Sequence, residues 1–238
     1  MLYRDIVQAR FCRRLNRFVA QADLGNGPEP VHVKNTGRCA ELLVPGCRAW
    51  LQDAGPGTTR KTRYDLIAVE KIRPGREPLL VNLDSAAPNA VAGEWLTGGG
   101  LGPLEELRPE YRLGGSRFDF FARRPGGQSV LVEVKGCTLE QDGLARFPDA
   151  PTLRGEKHVR ELTELRAQGY ECAVLFILQM EQMRRFTPNW DTHPSFGAAL
   201  AKAQAAGVQV LALGCRVQPD QLEVAYTVPV DLTVPGSV

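Results

Sequence analysis

The fold of this chain is decided by residues 116–135, which read SRFDFFARRPGGQSVLVEVK. Two apolar arms flank a glycine-bearing turn at residues 125–127, which is the pattern of a β-hairpin. Side chains alternate along a strand, so Glu133 and Lys135 point to the same face, and Asp119 lies on the other arm. Charged groups inside apolar strands are costly unless they pair or bind a metal. The hairpin therefore predicts a functional site built on these three side chains.

The chemistry of such a site follows from its ligands. Two carboxylates are hard oxygen ligands of the kind that suits Mg²⁺ or Mn²⁺. A lysine beside them is placed to orient a water or to stabilise charge on a phosphate. The alternative is a structural ion cluster of Asp119, Glu133 and Lys135, because buried ion networks also persist without chemistry.

The composition is that of an ordinary globular protein. With 238 residues, 43% of them hydrophobic, the chain is long enough for one large domain or two small ones. No apolar run approaches the roughly 20 residues that span a bilayer, and the N-terminal segment is charged, so we expect a cytoplasmic protein without membrane association. The six cysteines form no CxxC pair and are expected to be separate reduced thiols.

Charge is distributed unevenly along the chain. Residues 1–83 contain 14 lysines and arginines against 8 acidic residues, whereas residues 84–238 contain 15 against 19. A basic first third indicates contact with a polyanion. A solvated basic surface with no partner explains the charge alone equally well.

Residues 1–83 show short strand-like runs between turn signals, which is typical of a small β-barrel. The predicted strands are residues 17–20, 31–33, 41–44, 48–51 and 64–70. A five-stranded oligonucleotide-binding (OB-type) barrel fits the length and charge, and such barrels bind nucleic acid with basic grooves and exposed aromatic side chains. The candidates for that face are Arg13, Arg14, Arg17, Phe18, His32, Lys34, Asn35 and Arg38.

Residues 84–238 predict a second domain with a mixed sheet and flanking helices. The order is a helix with Asn89 as N-cap, the hairpin, a helix after His158, a buried strand at 172–178, a helix at 196–206 and a strand at 208–213, before a last strand at 223–228. If the first helix packs beside the hairpin, Glu94 comes within reach of the hairpin carboxylates.

Two levels of resemblance follow from these residues. The helix–hairpin–helix–strand order, with Asp119 on one strand and Glu-x-Lys on the next, resembles the PD-(D/E)xK core of restriction-type nucleases. Nearly the whole chain resembles the sugar fermentation stimulation protein A (SfsA) family. The matching segments are RLNRF (14–18), HVKNTGR (32–38), ELLVPG (41–46), SRFDF (116–120), VEVKG (132–136) and FPDAPTLRGEKH (147–158).

The resemblance implies an OB-type barrel followed by a restriction-endonuclease-like domain, sequence-independent DNA binding and a role in regulating sugar (maltose) metabolism. In the nuclease interpretation, Mg²⁺ or Mn²⁺ is held by Asp119, Glu133 and the backbone oxygen of Val134, with Glu94 acting through water or a second metal. Lys135 positions the attacking water or neutralises developing charge. Phosphates along the cleft are expected to meet Arg117, Arg154, Lys157 and His158.

The sequence leaves three functional classes open: a metal-dependent nuclease, a non-catalytic DNA-binding regulator, and a sugar-binding module on the same type of barrel. Arg154 and Lys157 have a surface alternative, pairing with Glu156 or Glu161, and His158 has a capping or packing alternative. No helix-turn-helix is evident, so recognition of a specific base sequence is not expected. A homodimer would suit a nuclease that cuts both strands.

Overall fold

The computed structural model describes residues 1–35 and 37–236. Thr36, within the segment 32–38, lies outside the described residues. The first domain is a closed barrel, because its sheet runs in the order β3-β2-β1-β4-β5-β6 and β3 also pairs with β5. Its strands are β1 (Ile6–Arg14), β2 (Val19–Asp23), β3 (Pro28–Val33), β4 (Arg48–Asp53), β5 (Tyr64–Lys71) and β6 (Leu79–Asn82). This is the OB-type barrel that the sequence predicts.

The barrel differs from the predicted strands in several places, and β6 is one strand that was not predicted. β1 was not predicted, and β2 starts at Val19 because the Asn16 side chain accepts the Phe18 and Val19 N–H groups and holds a turn there. Residues 41–44 are not a strand. Leu42 and Leu43 are buried, but their N–H groups bond to the Cys39 carbonyl in a local turn. Their apolar side chains therefore indicate burial in the core and not pairing in a β-sheet.

The second domain is built on a mixed sheet in the order β15-β14-β12-β9-β8-β7. Its strands are β7 (Glu106–Leu113), β8 (Ser116–Arg123), β9 (Ser129–Cys137), β12 (Glu171–Leu178), β14 (Gln209–Gln218) and β15 (Gln221–Val228). The central strands β9, β12 and β14 are parallel, and the outer pairs are antiparallel. A small sheet of β10 (Leu139–Gln141), β11 (Leu144–Phe147) and β13 (Arg185–Pro188) lies beside it.

Helices cover both faces of the mixed sheet. Helix α1 (Ala87–Thr97) packs on one face, where Val91 joins Val132 and Leu175 in an apolar cluster. Helices α2 (Leu153–Ala167) and α3 (Pro194–Ala205) cover the other face. The cluster on that second face continues into the core of the barrel, so the two domains share apolar packing. No helix among the described residues is long and apolar enough to cross a membrane.

The junction between the domains is a buried hydrogen-bond network. Gln179, which follows β12, donates its amide hydrogens to the Asn82 Oδ1 at 2.9 Å and to the Asp84 carbonyl at 3.1 Å. Asn82 and Asp84 are fully buried, and Asp84 pairs with Lys34 of the barrel. Buried polar groups that are paired in this way hold one relative position of the two domains.

Helix α1 starts at Ala87, two residues before the N-cap that the sequence predicts. Asn89 therefore lies inside the first turn, and its side chain is free to face the hairpin. The approach is close: a Cβ on Gly136 of β9 would lie 2.6 Å from the Gln179 Oε1 and 2.7 Å from the Pro88 Cγ.

Gly136→Ala should destabilise the protein by about 1–3 kcal/mol, the usual range for overpacking. The added methyl has to displace Pro88, and with it the start of α1. Gly115→Ala is the matched control, because a Cβ there meets nothing within 4 Å and should change stability by less than about 0.5 kcal/mol. Urea unfolding measures both variants, and equal effects would contradict the close approach.

Candidate active site

The site forms where the hairpin ladder ends. β8 and β9 pair from Arg123–Ser129 to Phe120–Val132 and no further. One residue beyond, the Asp119 side chain replaces the missing backbone partner and accepts the Val134 N–H at 2.7 Å. Continuing the register would set Asp119 opposite Glu133. The end of the ladder thus brings the two carboxylates together.

The side chains of β8 stop alternating regularly at Asp119. This break places the Asp119 side chain where the Val134 N–H lacks a backbone partner. Phe120 packs on Gly93 of α1, whereas Phe118 lies against His158 of α2 with ring centroids 6.1 Å apart. Residues two apart on a regular strand would share a face. Phe118 and Phe120 face opposite sides of the sheet, so the strand changes its facing at Asp119.

Asp119 is held by two hydrogen bonds. Besides the Val134 N–H, it accepts the Asn89 Nδ2 at 2.8 Å through Oδ1. Burial, followed by the negative charge of Glu133, raises the pKa of Asp119, and these two causes outweigh the hydrogen bonds and the nearby Lys135. A raised carboxyl pKa marks a site that gains from an added positive charge.

Glu133 is almost fully buried. Its Oε1 accepts the His158 Nδ1 at 2.6 Å and a short hydrogen bond from the Lys135 ammonium. Burial opposes ionisation, but the His158 hydrogen bond and the Lys135 charge prevail and lower the pKa of Glu133. Its Oε2 is buried and has no hydrogen-bond partner among the described residues.

His158 thus supports Glu133, and is not one of the exposed phosphate contacts that the sequence predicts. It is 6% exposed, and its ring fixes one oxygen of the carboxylate. The packing alternative considered for this residue is nearer to the structure, although the side chain still borders the cleft that contains the carboxylates.

His158→Ala should lower stability by about 2 kcal/mol, because a hydrogen bond to a buried charged group is lost. The same truncation frees the Glu133 side chain to rotate. Arg160→Ala on the exposed face of α2 is the control and should cost well under about 1 kcal/mol. Chemical unfolding at neutral pH measures both, and a neutral His158→Ala would show that Glu133 does not depend on the ring.

The structure does not bring Glu94 to the hairpin carboxylates. Its carboxylate is more than half exposed and pairs with the Met1 ammonium at 2.6 Å, near the backbone of β15. The reason is helical geometry: Glu94 is five positions after Asn89, which puts the two side chains on different faces of α1. Asn89 is the residue of α1 that contacts Asp119. The sequence did not indicate this role, because an asparagine before an apolar helical pattern is interpreted as an N-cap.

The two carboxylates open into a cleft of about 220 Å³, which we call the carboxylate cleft. It is lined by Arg117, Asp119, Glu133, Val134, Lys135, Thr152, Arg154, Gly155 and His158. No group of three or more His, Cys, Asp or Glu side chains within residues 1–35 and 37–236 is arranged to hold a metal ion. A cation in this cleft would rely on Asp119, Glu133, the Val134 carbonyl and water.

Of the basic residues predicted on the second domain, Arg154 is the most central. It is exposed and lines the carboxylate cleft and the two clefts on either side of it. Arg117 also borders the carboxylate cleft and pairs with the exposed Glu110 at 2.6 Å. Lys157 is 62% exposed and lies 3.5 Å from Glu161, the surface pairing considered above.

The predicted basic face of the barrel divides into two groups. Arg17 and Asn35 line a cleft of about 650 Å³ between the two domains, which we call the interdomain cleft. Phe18 is half exposed beside Arg17, whose guanidinium lies 5.7 Å from its ring centre. Arg13 and Arg38 are on the surface, and Arg13 bonds to Gln21.

The other three predicted residues have structural partners. Arg14 donates to five backbone carbonyls, among them those of Gly37 and Asn35 at 2.6 and 2.8 Å. Lys34 is paired with the buried Asp84, and the His32 Nδ1 lies 3.0 Å from the Asp65 Oδ1. These contacts fix the three side chains, so Arg14, Lys34 and His32 are poor candidates for direct phosphate contacts.

Known families match both parts of the chain. A family model described as the sugar fermentation stimulation protein RE domain matches residues 86–221, and one described as the SfsA N-terminal OB domain matches residues 12–76. A sugar fermentation stimulation protein homolog from Desulfitobacterium hafniense is 47% identical over 232 residues, covering 98% of this chain and 99% of the relative. A homolog from Clostridium botulinum is 43% identical over 225 residues, covering 93% and 95%.

A solved structure has the same architecture. The SfsA of Pyrococcus furiosus, in complex with Ca²⁺, superposes with a TM-score of 0.81 at 27% identity and covers 97% of this chain and 98% of its own. The order of domains and the barrel-plus-mixed-sheet fold are therefore shared along the whole length.

Proposed function

The chain belongs to the sugar fermentation stimulation protein family, and from the geometry of its hairpin we propose that it hydrolyses phosphodiester bonds of DNA with Mg²⁺ or Mn²⁺. The observation that carries this proposal is the Glu133 Oε2, a buried carboxylate oxygen without a partner among the described residues, next to a second carboxylate. Buried polar atoms are normally satisfied, and an exception calls for a ligand or a function. The same cleft is also lined by Arg117, Lys135 and Arg154, and side chains of this kind contact phosphates without reading bases.

The residues fit a hard divalent cation. Mg²⁺ is commonly held by one or two carboxylates and keeps several waters, which matches the short ligand set of Asp119, Glu133 and the Val134 carbonyl. The raised pKa of Asp119 fits as well, since a cation would offset the repulsion from Glu133. The Pyrococcus furiosus relative was solved with Ca²⁺, another cation that prefers oxygen ligands. This supports the proposal.

The protein side chains have separate tasks in this scheme. Asn89 and the Val134 N–H orient Asp119, while His158 and Lys135 fix the Glu133 Oε1 and leave its Oε2 without a hydrogen bond among the described residues. The chemistry that a bound cation supplies is polarisation of the phosphate and activation of a water. The Lys135 ammonium lies beside Glu133 in the same cleft, where it can neutralise charge that develops on the phosphate.

The test is cleavage of supercoiled plasmid and labelled oligonucleotides with Mg²⁺, with Mn²⁺ and with EDTA. Wild type should cut only with metal, and Glu133→Gln should not cut. Glu171→Gln, at the other end of the sheet and paired with Arg124, is the control and should cut normally. Absence of cutting with either metal, or equal cutting by Glu133→Gln, would refute the assignment.

A second candidate function is a non-catalytic DNA-binding regulator, with sugar (maltose) metabolism as the process affected. The observation in its favour is that Glu133 already has two cationic or donating partners, Lys135 and His158, so that the cluster is held together without a metal. Such a protein should bind DNA with an affinity that falls steeply with salt. It should also keep that affinity in Asp119→Asn and show no metal-dependent cutting.

A further inference from the structure

The interdomain cleft leads directly into the carboxylate cleft. Both are lined by Val134, Thr152 and Arg154, and Asn89, which holds Asp119, lies in the wall of the interdomain cleft. A polymer that occupied the interdomain cleft would therefore reach the two carboxylates without leaving the protein surface.

The walls of the interdomain cleft carry positive charge. Arg17 comes from the barrel, and Arg154 comes from α2. Neither guanidinium has a carboxylate partner within the part of the chain that the structure describes. Arg146, also in the wall, is already bonded to Asp191, and Asp149 is the one acidic residue among the described residues that line this cleft. Unpaired arginines in a groove are the usual phosphate contacts of proteins that bind nucleic acids.

The size of the interdomain cleft favours one strand over two. Its volume of about 650 Å³ lies within the range of small-molecule sites, on the order of 300–1,000 Å³. It is bounded on one side by Arg17 and Asn35 of the barrel domain and on the other by the loop at 148–151. Glu133 at the inner end is only 3% exposed, so a phosphate has to be brought inward to reach it.

An exposed aromatic side chain lies next to the barrel side of the same cleft. Phe18 is 51% exposed and directly follows the cleft-lining Arg17. The Phe18 backbone is fixed, because its N–H donates to the Asn16 Oδ1 at 2.8 Å. An exposed aromatic ring beside an arginine that has no carboxylate partner among the described residues is how OB-type barrels bind single strands, since every base can stack on a ring.

We propose that the interdomain cleft binds single-stranded DNA, with Arg17 and Arg154 on its phosphates and Phe18 against a base, and that it directs this strand to Asp119 and Glu133. Binding of the strand is independent of the proposed function, and only its cleavage at Asp119 and Glu133 rests on that function. The substrate class that follows is single-stranded DNA, or a duplex with a single-stranded tail. A fully paired duplex is the disfavoured ligand.

The experiment measures binding separately from cleavage. Fluorescence anisotropy in EDTA, at one fixed salt concentration, compares a short labelled single strand, the same strand fully paired, and the same strand in a tailed duplex. The single strand and the tailed duplex should bind about tenfold more tightly than the paired duplex. Phe18→Ala should weaken single-strand binding about tenfold, the scale of losing one stacked base. Arg17→Gln should weaken it and reduce its salt dependence.

Two controls match these variants. Ile72→Ala removes an exposed apolar side chain of the barrel that does not line the interdomain cleft, and Arg216→Gln removes an exposed arginine of β14; both should bind normally. Equal or tighter binding of the paired duplex, no binding of any DNA, or unchanged binding by Phe18→Ala would overturn the inference. Asp119→Asn separates the two proposals: lost cutting with retained single-strand preference supports both. Single-strand preference without any cutting by wild type would refute only the nuclease.

Discussion

Asp119→Asn should strongly reduce metal-dependent cleavage and at the same time raise the thermal stability of the metal-free protein. The loss in rate is expected to be roughly a thousandfold, the scale of removing one electrostatic contact that acts on developing charge. The gain in stability has a separate cause: in the folded protein this carboxylate is buried beside Glu133, which raises its pKa. Asparagine removes the charge and keeps an acceptor for the Val134 N–H, and its Nδ2 can donate to the Asn89 Oδ1 once the Asn89 amide turns over.

The pH dependence of Asp119→Asn has a definite sign. A group with a raised folded pKa binds its proton more tightly in the folded than in the unfolded state, so its ionisation lowers stability as the pH rises. The advantage of the variant should therefore be present at neutral pH and disappear below about pH 4, where an ordinary aspartate is also protonated. Thermal unfolding followed by circular dichroism at several pH values measures it.

Divalent cations provide a second measurement on the same pair of proteins. A ligand that binds only the folded state raises Tm, so Mg²⁺ or Ca²⁺ should stabilise wild type and leave Asp119→Asn nearly unchanged. Asp231→Asn, at a partly exposed carboxylate paired with Arg185, is the control and should respond to cations as wild type does. An Asp119→Asn variant that is both less stable than wild type and still active would contradict this role of Asp119.

Lys135→Met should be the most destabilising single change at the site, costing about 3 kcal/mol. The ammonium is the main positive charge beside Glu133, which is 3% exposed and would remain as a buried anion held by His158 alone. For a chain of this size the loss corresponds to a fall in Tm of roughly 6–12 °C. Lys157→Met, at a 62% exposed lysine, is the matched control and should cost less than about 0.5 kcal/mol.

The double variant Lys135→Met/Glu133→Gln identifies the cause. If the cost arises from the uncompensated carboxylate, neutralising it should restore most of the lost stability. The pKa of Glu133 is lowered in the folded state, so its favourable contribution is present above the ordinary glutamate pKa and is lost as the pH falls. Lys135→Met should accordingly cost less at acid pH. If the double variant is as unstable as Lys135→Met, the lost stability arises from the packing of the lysine side chain instead.

Lys135→Arg distinguishes the contribution of the positive charge to stability from the role of the ammonium in cleavage. The guanidinium keeps the positive charge and most of the stability, but its planar fork cannot place a compact charge where the ammonium lies. Cleavage should fall while Tm changes little. Normal cleavage by Lys135→Arg would show that only the charge matters.

Local sequence patterns were sufficient for the barrel, for the mixed sheet and for the pair Asp119 and Glu133. The hairpin turn, the apolar run of β12 and the Glu-x-Lys spacing are local features, and strand alternation fixes which side chains share a face. The turn, the apolar strand and the Glu-x-Lys spacing depend on nearby residues, and these predictions agree with the structure. The predictions for residues 41–44 and for Asn89 as an N-cap were wrong, because burial in the barrel and the start of α1 decide the conformation there.

Only the tertiary structure decided which helix and barrel residues reach the site. Asn89 takes the place expected for Glu94 because α1 starts at Ala87 and presents a different face, and His158 turns inward to Glu133. On the barrel, Lys34 pairs with a buried aspartate at the domain junction, whereas Arg17 lines the interdomain cleft. These outcomes depend on helix phase and on contacts between residues far apart in the chain. No local pattern encodes them, because the conformation of each side chain depends on partners that are distant in sequence and come close only when the chain folds.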